Sequence, residues 1–326
     1  MSELSLPRRV RIVSPTSIVH LEPTLPPVPP SVANAQKWTR FVLLSDTHNA
    51  TFDPPAGDVL IHTGDLTQRG TLDELKTTMD WLCALPHPLK IIIAGNHDLA
   101  VHREWYDDNW QRKRHKTKES AEAITELLKG PRAVAANLVY LEDEQYTFRV
   151  HEGGKEWSVY GSPWSPLFGN WAFGYPRAEG KALTSRFPHT DILLTHGPPQ
   201  HVLDITNADA RVGCAALAAR VRALRPRLHV FGHIHEARGA YLHLWDRNAG
   251  DDALGAQNSS QLEIDVDGDD GEDAGAPDAT VVLPAGPQTV FVNAANSPAG
   301  PNSSRNGEKV AVGGPGVGPI VVDLLE

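Results

Sequence analysis

Asp46-Thr-His48, Gly64-Asp65 with Arg69-Gly70 close behind, Gly95-Asn-His-Asp98, Thr195-His196-Gly197 and Gly232-His-Ile-His235 are the stretches of this chain whose residue types fit catalysis. Imidazole nitrogens mixed with carboxylate and amide oxygens, with no thiolate among them, suit manganese, iron or zinc. A carboxylate such as Asp65 can bridge two cations roughly 3.5–4 Å apart, a pair that stabilises both the attacking and the leaving oxygen of an in-line displacement at phosphorus. Taken singly, an Asp-x-His or a Gly-Asn-His-Asp more often serves a turn or a helix cap. Five such signatures in one chain, each at the end of an apolar run, argue for a shared site.

The runs themselves supply the elements that would position these residues. Phe41 to Leu44, Val59 to Thr63, Leu89 to Ala94, Trp157 to Tyr160, Asp191 to Thr195 and Leu228 to Phe231 are short, apolar and end in polar residues. Such runs predict strands buried on both faces, with functional loops at their carboxyl ends. Thr71 and Glu74 form a capping-box pattern ahead of Leu72, Leu75, Met79 and Leu82, so a helix is expected there until Pro86 and Pro88 stop it. A second helix is expected around Cys214 to Leu224. Weaker runs at Thr289 to Val292 and Pro319 to Leu324 are expected to return to the sheets. Strands alternating with helices predict an α/β layered domain, and ligands far apart in sequence then meet at one sheet edge.

The five blocks, in this order, resemble the calcineurin-like metallophosphoesterases. The longer stretches Ile61-His-Thr-Gly-Asp65, Ile93-Ala-Gly-Asn-His97, Gly161-Ser-Pro-Trp164, Thr195-His-Gly-Pro-Pro199 and Leu228-His-Val-Phe-Gly232 are similar to the metallophosphoesterase-domain-containing subgroup of phosphodiesterases. The resemblance covers Phe41 to Glu236 and implies a four-layer αββα sandwich of two mixed β-sheets. It implies that Asp46, His48 and His235 hold one divalent cation, that Asn96, His196 and His233 hold a second, and that Asp65 bridges them. Manganese is the first expectation, with iron, zinc or magnesium behind it.

His97 would not ligate; the resemblance has it face the phosphate and assist the leaving oxygen, so His97 and Asp65 are the expected catalytic residues. Arg69, Asn96 and Trp164 are the expected substrate contacts. The implied reaction is hydrolysis of a small or cyclic-nucleotide phosphodiester by a metal-bridging hydroxide. A phosphomonoesterase would share every ligand, and a non-catalytic metal- or nucleotide-binding protein is the rival from another class. Some subgroup members replace the first His of Gly-His-x-His by Gly; this chain keeps both His233 and His97, which argues against the non-catalytic rival. Gln68 stands where protein phosphatases of the wider family carry an Asp that orients the catalytic His, which argues against a phosphoprotein substrate.

Composition sets the remaining bounds. A net charge of −10 argues against non-specific nucleic-acid binding, which needs a basic face. A small anionic substrate stays compatible, because metal ions supply positive charge locally. Cys83 and Cys214 are far apart and read as two buried thiols rather than a disulfide. With no apolar run of signal-peptide or membrane-span length, a cytoplasmic setting is the expectation. Residues 1–36, with five prolines between Pro23 and Pro30, read as a leader strapped to the surface. Residues 37–326 read as one domain carrying a mobile acidic insertion at about 246–287. Asp265, Asp267 and Asp269 begin like a calcium loop, but Asp270 stands where that loop needs Gly and Ala276 where it needs Glu. Arg103 to Lys118 reads as a solvated, partly helical excursion. The aromatic run Trp164, Phe168, Trp171, Phe173 and Tyr175 reads first as packing. His62 reads as a core residue or a support for a ligand, and Asp98 as an orienting partner of His97 or, in preference, the cap of a following helix.

Overall fold

Alternate residues of the central strands point to opposite faces, and both faces are buried. Phe41 and Leu43 enter one hydrophobic cluster while Val42 and Leu44 enter another; Ile61 and Leu60 divide in the same way, as do Ile91 and Ile92. This period of two, with apolar residues on both faces, is why the sequence shows unbroken apolar runs rather than alternation. The computed structural model describes residues 10–21, 25–29, 37–113, 115–245, 263–265, 279–297, 304–305, 308–309 and 317–326.

Among the described residues, two mixed sheets lie face to face. The first has eight strands in the order Ala279–Val282, Val10–Val13, Ser17–His20, Ile320–Leu325, Trp38–Leu44, Val59–Thr63, Leu89–Ile93 and Leu138–Tyr140, the last four mutually parallel. The second has seven, in the order Glu263–Asp265, Gly239–Leu244, Gln288–Asn293, Leu228–Phe231, Ile192–Thr195, Glu156–Ser162 and Glu144–Arg149. Between them sits the largest cluster, where Phe41, Ile61 and Ile93 of the first sheet share a core with Trp157, Ile192, Val230 and Val292 of the second. The outer face of the first sheet is covered by the helices Leu72–Ala84 and Ala121–Lys129, through Leu75, Met79, Leu82, Ile124 and Leu128. The outer face of the second is covered by Ala215–Leu224, through Leu217, Val221 and Leu224. This is the αββα sandwich expected from the resemblance. Thr71 caps its helix by accepting from the Glu74 N–H, but the Glu74 carboxylate takes the Arg69 N–H and leaves the expected capping box half formed. Cys214, expected within its helix, lies one residue before it and caps it through Sγ.

Two short strands correct the picture of a leader over residues 1–36. Val10–Val13 and Ser17–His20 form a hairpin within the first sheet, and Ile12 and Val19 are fully buried between the sheets. Four-residue strands are too short to show periodicity against the prolines that follow. Of the insertion expected at 246–287, Glu263–Asp265 pairs with Gly239–Leu244 and Ala279–Val282 pairs with Val10–Val13. The expectation of mobility at 246–262 and 266–278 lies outside the described residues. Both cysteines are free, and among the described residues no helix is long and apolar enough to cross a membrane.

A buried ionic group ties the hairpin to the sheet. Arg40 donates to both oxygens of Asp323 at 2.7 and 2.8 Å, and His20 Nε2 lies 2.8 Å from Oδ2. Burial pushes the Asp323 carboxyl up, but the hydrogen bonds from Arg40 and His20 outweigh it and hold the group below the usual carboxylate range. A carboxylate whose folded pKa is depressed adds stability that is complete above its unfolded value of about 3.9 and is lost as pH falls through the lower folded value. Asp323→Asn is therefore expected to lower stability at neutral pH and to flatten its fall in acid, read by urea unfolding across pH. An unchanged acid slope would remove Asp323 from that role.

Candidate functional site

The parallel strands of both sheets end at the same edge, and the loops after them carry every predicted site residue. Asp46 follows Trp38–Leu44 and Asp65 follows Val59–Thr63, while Asn96 and His97 follow Leu89–Ile93. From the other sheet, His196 follows Ile192–Thr195 and His233 follows Leu228–Phe231. The backbone turns sharply at these positions. Asp46, His48, Asp65 and His233 all have positive φ, at 53°, 45°, 53° and 70°. Side chains other than Gly rarely adopt this conformation, at a cost on the order of 1 kcal/mol or more each, and such residues gather at functional sites. The turns are held by the Asp46 N–H on the Gly64 carbonyl at 2.9 Å and the His48 N–H on the Asp65 carbonyl at 3.1 Å. Two glycines allow the loops to close. A Cβ at Gly95 would collide with Asp65 Oδ1 and His196 Cε1, and one at Gly232 would collide with Asp46 and Ser45.

The result is a cluster of facing acceptor atoms. Asp46, His48 and His235 form one triad and Asp46, Asp65 and His196 another, with the donor atoms of each within 4.8 Å of one another. His48 Nδ1–H donates to the Thr67 carbonyl at 3.1 Å, and His196 Nδ1–H donates to the Thr63 carbonyl at 2.9 Å. Each anchor fixes a tautomer that leaves the Nε2 lone pair facing inwards. His48 Nε2 then lies 3.4 Å from His235 Nε2 and 3.7 Å from Asp65 Oδ2. His196 Nε2 lies 2.9 Å from Asn96 Oδ1 and 3.4 Å from Asp65 Oδ1. Lone pairs crowded together in this way repel unless a cation or proton lies between them. The donor set, its anchoring and its spacing all fit divalent metal ions.

The electrostatics agree. Burial alone would lower His235, yet the Asp46 hydrogen bond at 3.1 Å and the charges of Asp46 and Asp65 push it up to about 9. Burial likewise opposes ionisation of Asp46, but His235, His196 and His48 together hold it well below the usual range. Burial lowers His233 to about 4, which keeps its ring neutral. His233 stands outside both triads; its ring packs 5.0 Å from that of His196, and its N–H donates to both oxygens of Asp46.

His97 sits beside the cluster, its ring 4.7 Å from that of His48, with its N–H on Asp65 Oδ1 at 2.8 Å. Its Nδ1–H donates to the Gln68 carbonyl at 2.8 Å. Gln68 thus holds the imidazole through its backbone, an arrangement that side-chain identity in the sequence does not signal. Asp98 is corrected: the helix Arg103–Asn109 has His102 at its N-cap, and Asp98 caps nothing. Its fully buried carboxylate accepts from the N–H groups of Gly95, Leu66 and Thr67 and from the Thr67 hydroxyl, at 2.7–3.1 Å. It stitches the loop carrying Asp65 to the loop carrying Asn96. Asp98→Ala leaves those donors unpaired and is expected to destabilise the fold by about 3 kcal/mol, read by urea unfolding; a loss within error would deny the stitch.

The expected substrate contacts fare unevenly. Asn96 lies within the cluster. Arg69 is exposed, with its N–H on Glu74 and its carbonyl accepting from His115. Trp164 is half-buried, its indole N–H donating to Asp143 at 2.9 Å and its ring packed edge-on against His102 and Phe173. The indole that reaches the cluster is Trp171, stacked on His97 at 4.1 Å. His62 is fully buried with Nε2 2.9 Å from the Thr47 hydroxyl, so it supports the residue between Asp46 and His48. His229 bonds Thr195 in the same way, and His201 is exposed.

Comparison with known proteins agrees with this geometry. The model of the calcineurin-like phosphoesterase family matches residues 38–237. The chain is 41% identical over 222 residues to metallophosphoesterase domain-containing protein 1 of Homo sapiens, a match covering 65% of this chain and 65% of that relative's length. The Mus musculus protein of the same name matches with the same identity and coverage.

Proposed function

This chain belongs to the calcineurin-like phosphoesterase family, and from that premise we propose that it hydrolyses small phosphodiesters with two divalent cations. Asp46, His48 and His235 would hold one cation and Asn96, His196 and His233 the other, with Asp65, whose oxygens lie 3.7 Å from His48 Nε2 and 3.4 Å from His196 Nε2, available to both. The observation that carries this reading is the pair of inward-facing triads, whose imidazoles are turned by the Thr67 and Thr63 carbonyls so that Nε2 meets carboxylate oxygen. Cations bound there supply a nucleophile near neutral pH and offset the charge that builds at phosphorus.

The protein's own part is orientation. His97, held through Nδ1–H, would assist the leaving oxygen from Nε2 as the imidazolium, since only the doubly protonated ring can donate to Gln68 and still carry a proton at Nε2. An N- and O-donor set without thiolate fits manganese, iron or zinc, and manganese is tried first on the family resemblance. The similarity to the metallophosphoesterase-domain-containing subgroup supports a diester, with cyclic nucleotides first in line.

The test is turnover of bis-p-nitrophenyl phosphate against p-nitrophenyl phosphate, with added Mn²⁺ and with chelator. Chelator-sensitive diester hydrolysis is the expected result. Turnover of the monoester alone would make the protein a phosphatase, and no turnover with metal bound would make it a binding protein.

A further inference from the structure

Trp171 is covered on both faces. The His97 imidazole stacks on it with centroids 4.1 Å apart and planes 23° apart, and the Lys113 ammonium lies 3.4 Å from the centroid of the same ring. Two groups that close to one centroid overlap if they share a face, so His97 and Lys113 take opposite faces. An indole so enclosed offers no face to a nucleobase and is no stacking platform. We infer that Trp171 is a positioning residue for His97, backed by Lys113; the inference rests on the role of His97 proposed above.

Two independent restraints then fix the imidazole. The Gln68 carbonyl sets the direction of Nδ1–H, while the indole sets the plane of the ring. The excursion from Arg103 to Lys118, which plays no part in the metal cluster, supports both. It carries Lys113, whose ammonium over an indole face is a cation–π contact. It also carries His115, whose Nε2–H donates to the Arg69 carbonyl one residue beyond Gln68, at 2.9 Å. Tyr106 donates its hydroxyl proton to His115 Nδ1 at 2.7 Å and so fixes that tautomer. On the Trp171 side, the Trp105 indole N–H donates to Asn170 Oδ1 at 3.2 Å, and Asn170 donates to Asn109 at 2.9 Å. The basic residues of this segment are partly spent on its own acids: Asp107 pairs with Arg103 and with Lys118. The segment grips the loop holding Nδ1 and the loop holding the ring face at once.

The experiment uses the Mn²⁺-loaded full chain with bis-p-nitrophenyl phosphate and diphenyl phosphate as substrates. Trp171→Ala is expected to lower kcat by about 10- to 100-fold with metal content unchanged, the range seen for groups that orient an active side chain. KM should move by less than about threefold, because ground-state binding is untouched. The loss should be larger for diphenyl phosphate, whose leaving phenolate is more basic and needs more assistance. Trp171→Phe should recover most of the rate, and the double variant with His97→Ala should be no slower than His97→Ala alone. Lys113→Met, which leaves the indole in place but unbacked, should lose a smaller part and keeps the test open if Trp171→Ala unfolds.

A raised KM at unchanged kcat would make Trp171 a wall of the substrate site and overturn the inference. Multiplying losses in the double variant would overturn it too. A His97→Ala chain as fast as its parent would withdraw the role of His97 itself. A slow His97→Ala beside a normal Trp171→Ala would sink the positioning alone.

Discussion

Replacing His97 with Ala is expected to leave both cations bound and to lower kcat by about 10²–10⁴-fold, the usual weight of a positioned proton donor. The metals should stay because the His97 ring, anchored on the Gln68 carbonyl, is not one of the proposed ligands. The one bond from His97 to a predicted ligand is its backbone N–H on Asp65, which Ala retains. What disappears is the Nε2–H of an imidazolium whose Nδ1–H the Gln68 carbonyl holds. Because the lost help falls on the leaving oxygen, the defect should shrink as the leaving group becomes a better one. Metal content by plasma mass spectrometry and kcat on a series of aryl diesters check both halves. Equal losses on every leaving group would make His97 an electrostatic contact to the phosphate and no proton donor.

The convergence of the candidate ligands could be read in the sequence because their residue types stand at strand ends. Asp46, His48, Asp65, Asn96, His196, His233 and His235 each follow an apolar run long enough to declare a strand, and parallel strands deliver their loops to one edge. Other parts were hidden for physical reasons. Gln68, Thr63 and Thr67 act through backbone carbonyls, which every residue has, so nothing in their side chains announces the role. Asp98 bonds residues 31 and 32 positions away, and a motif that reads as a local cap cannot show that partner. Trp164 and Trp171 lie in one aromatic run; the loop path, set by tertiary contacts, sends one to Asp143 and the other to His97. The hairpin Val10–Val13 and Ser17–His20 is held by pairing with Ile320–Leu325, three hundred residues on, and by the Asp323 carboxylate. Partners that distant leave no periodicity in either segment.

His233→Ala should take the chain from two metal ions towards one and abolish most turnover, a loss on the order of 10³-fold or more if the second cation supplies several kcal/mol to the transition state. His233 is the ligand most open to challenge, since it lies outside both triads and reaches the cluster beside His196. Two effects must be separated. The residue sits at φ 70°, which Ala tolerates poorly and Gly adopts freely. Its N–H, bonded to both oxygens of Asp46, survives either substitution. His233→Gly should therefore be more stable than His233→Ala, by about 1 kcal/mol, while being equally poor in metal and equally slow. Urea unfolding resolves the first difference, and metal analysis with kcat resolves the second. Full occupancy of both sites in either variant would remove His233 from the ligand set and leave Asp65, Asn96 and His196 to hold the second cation.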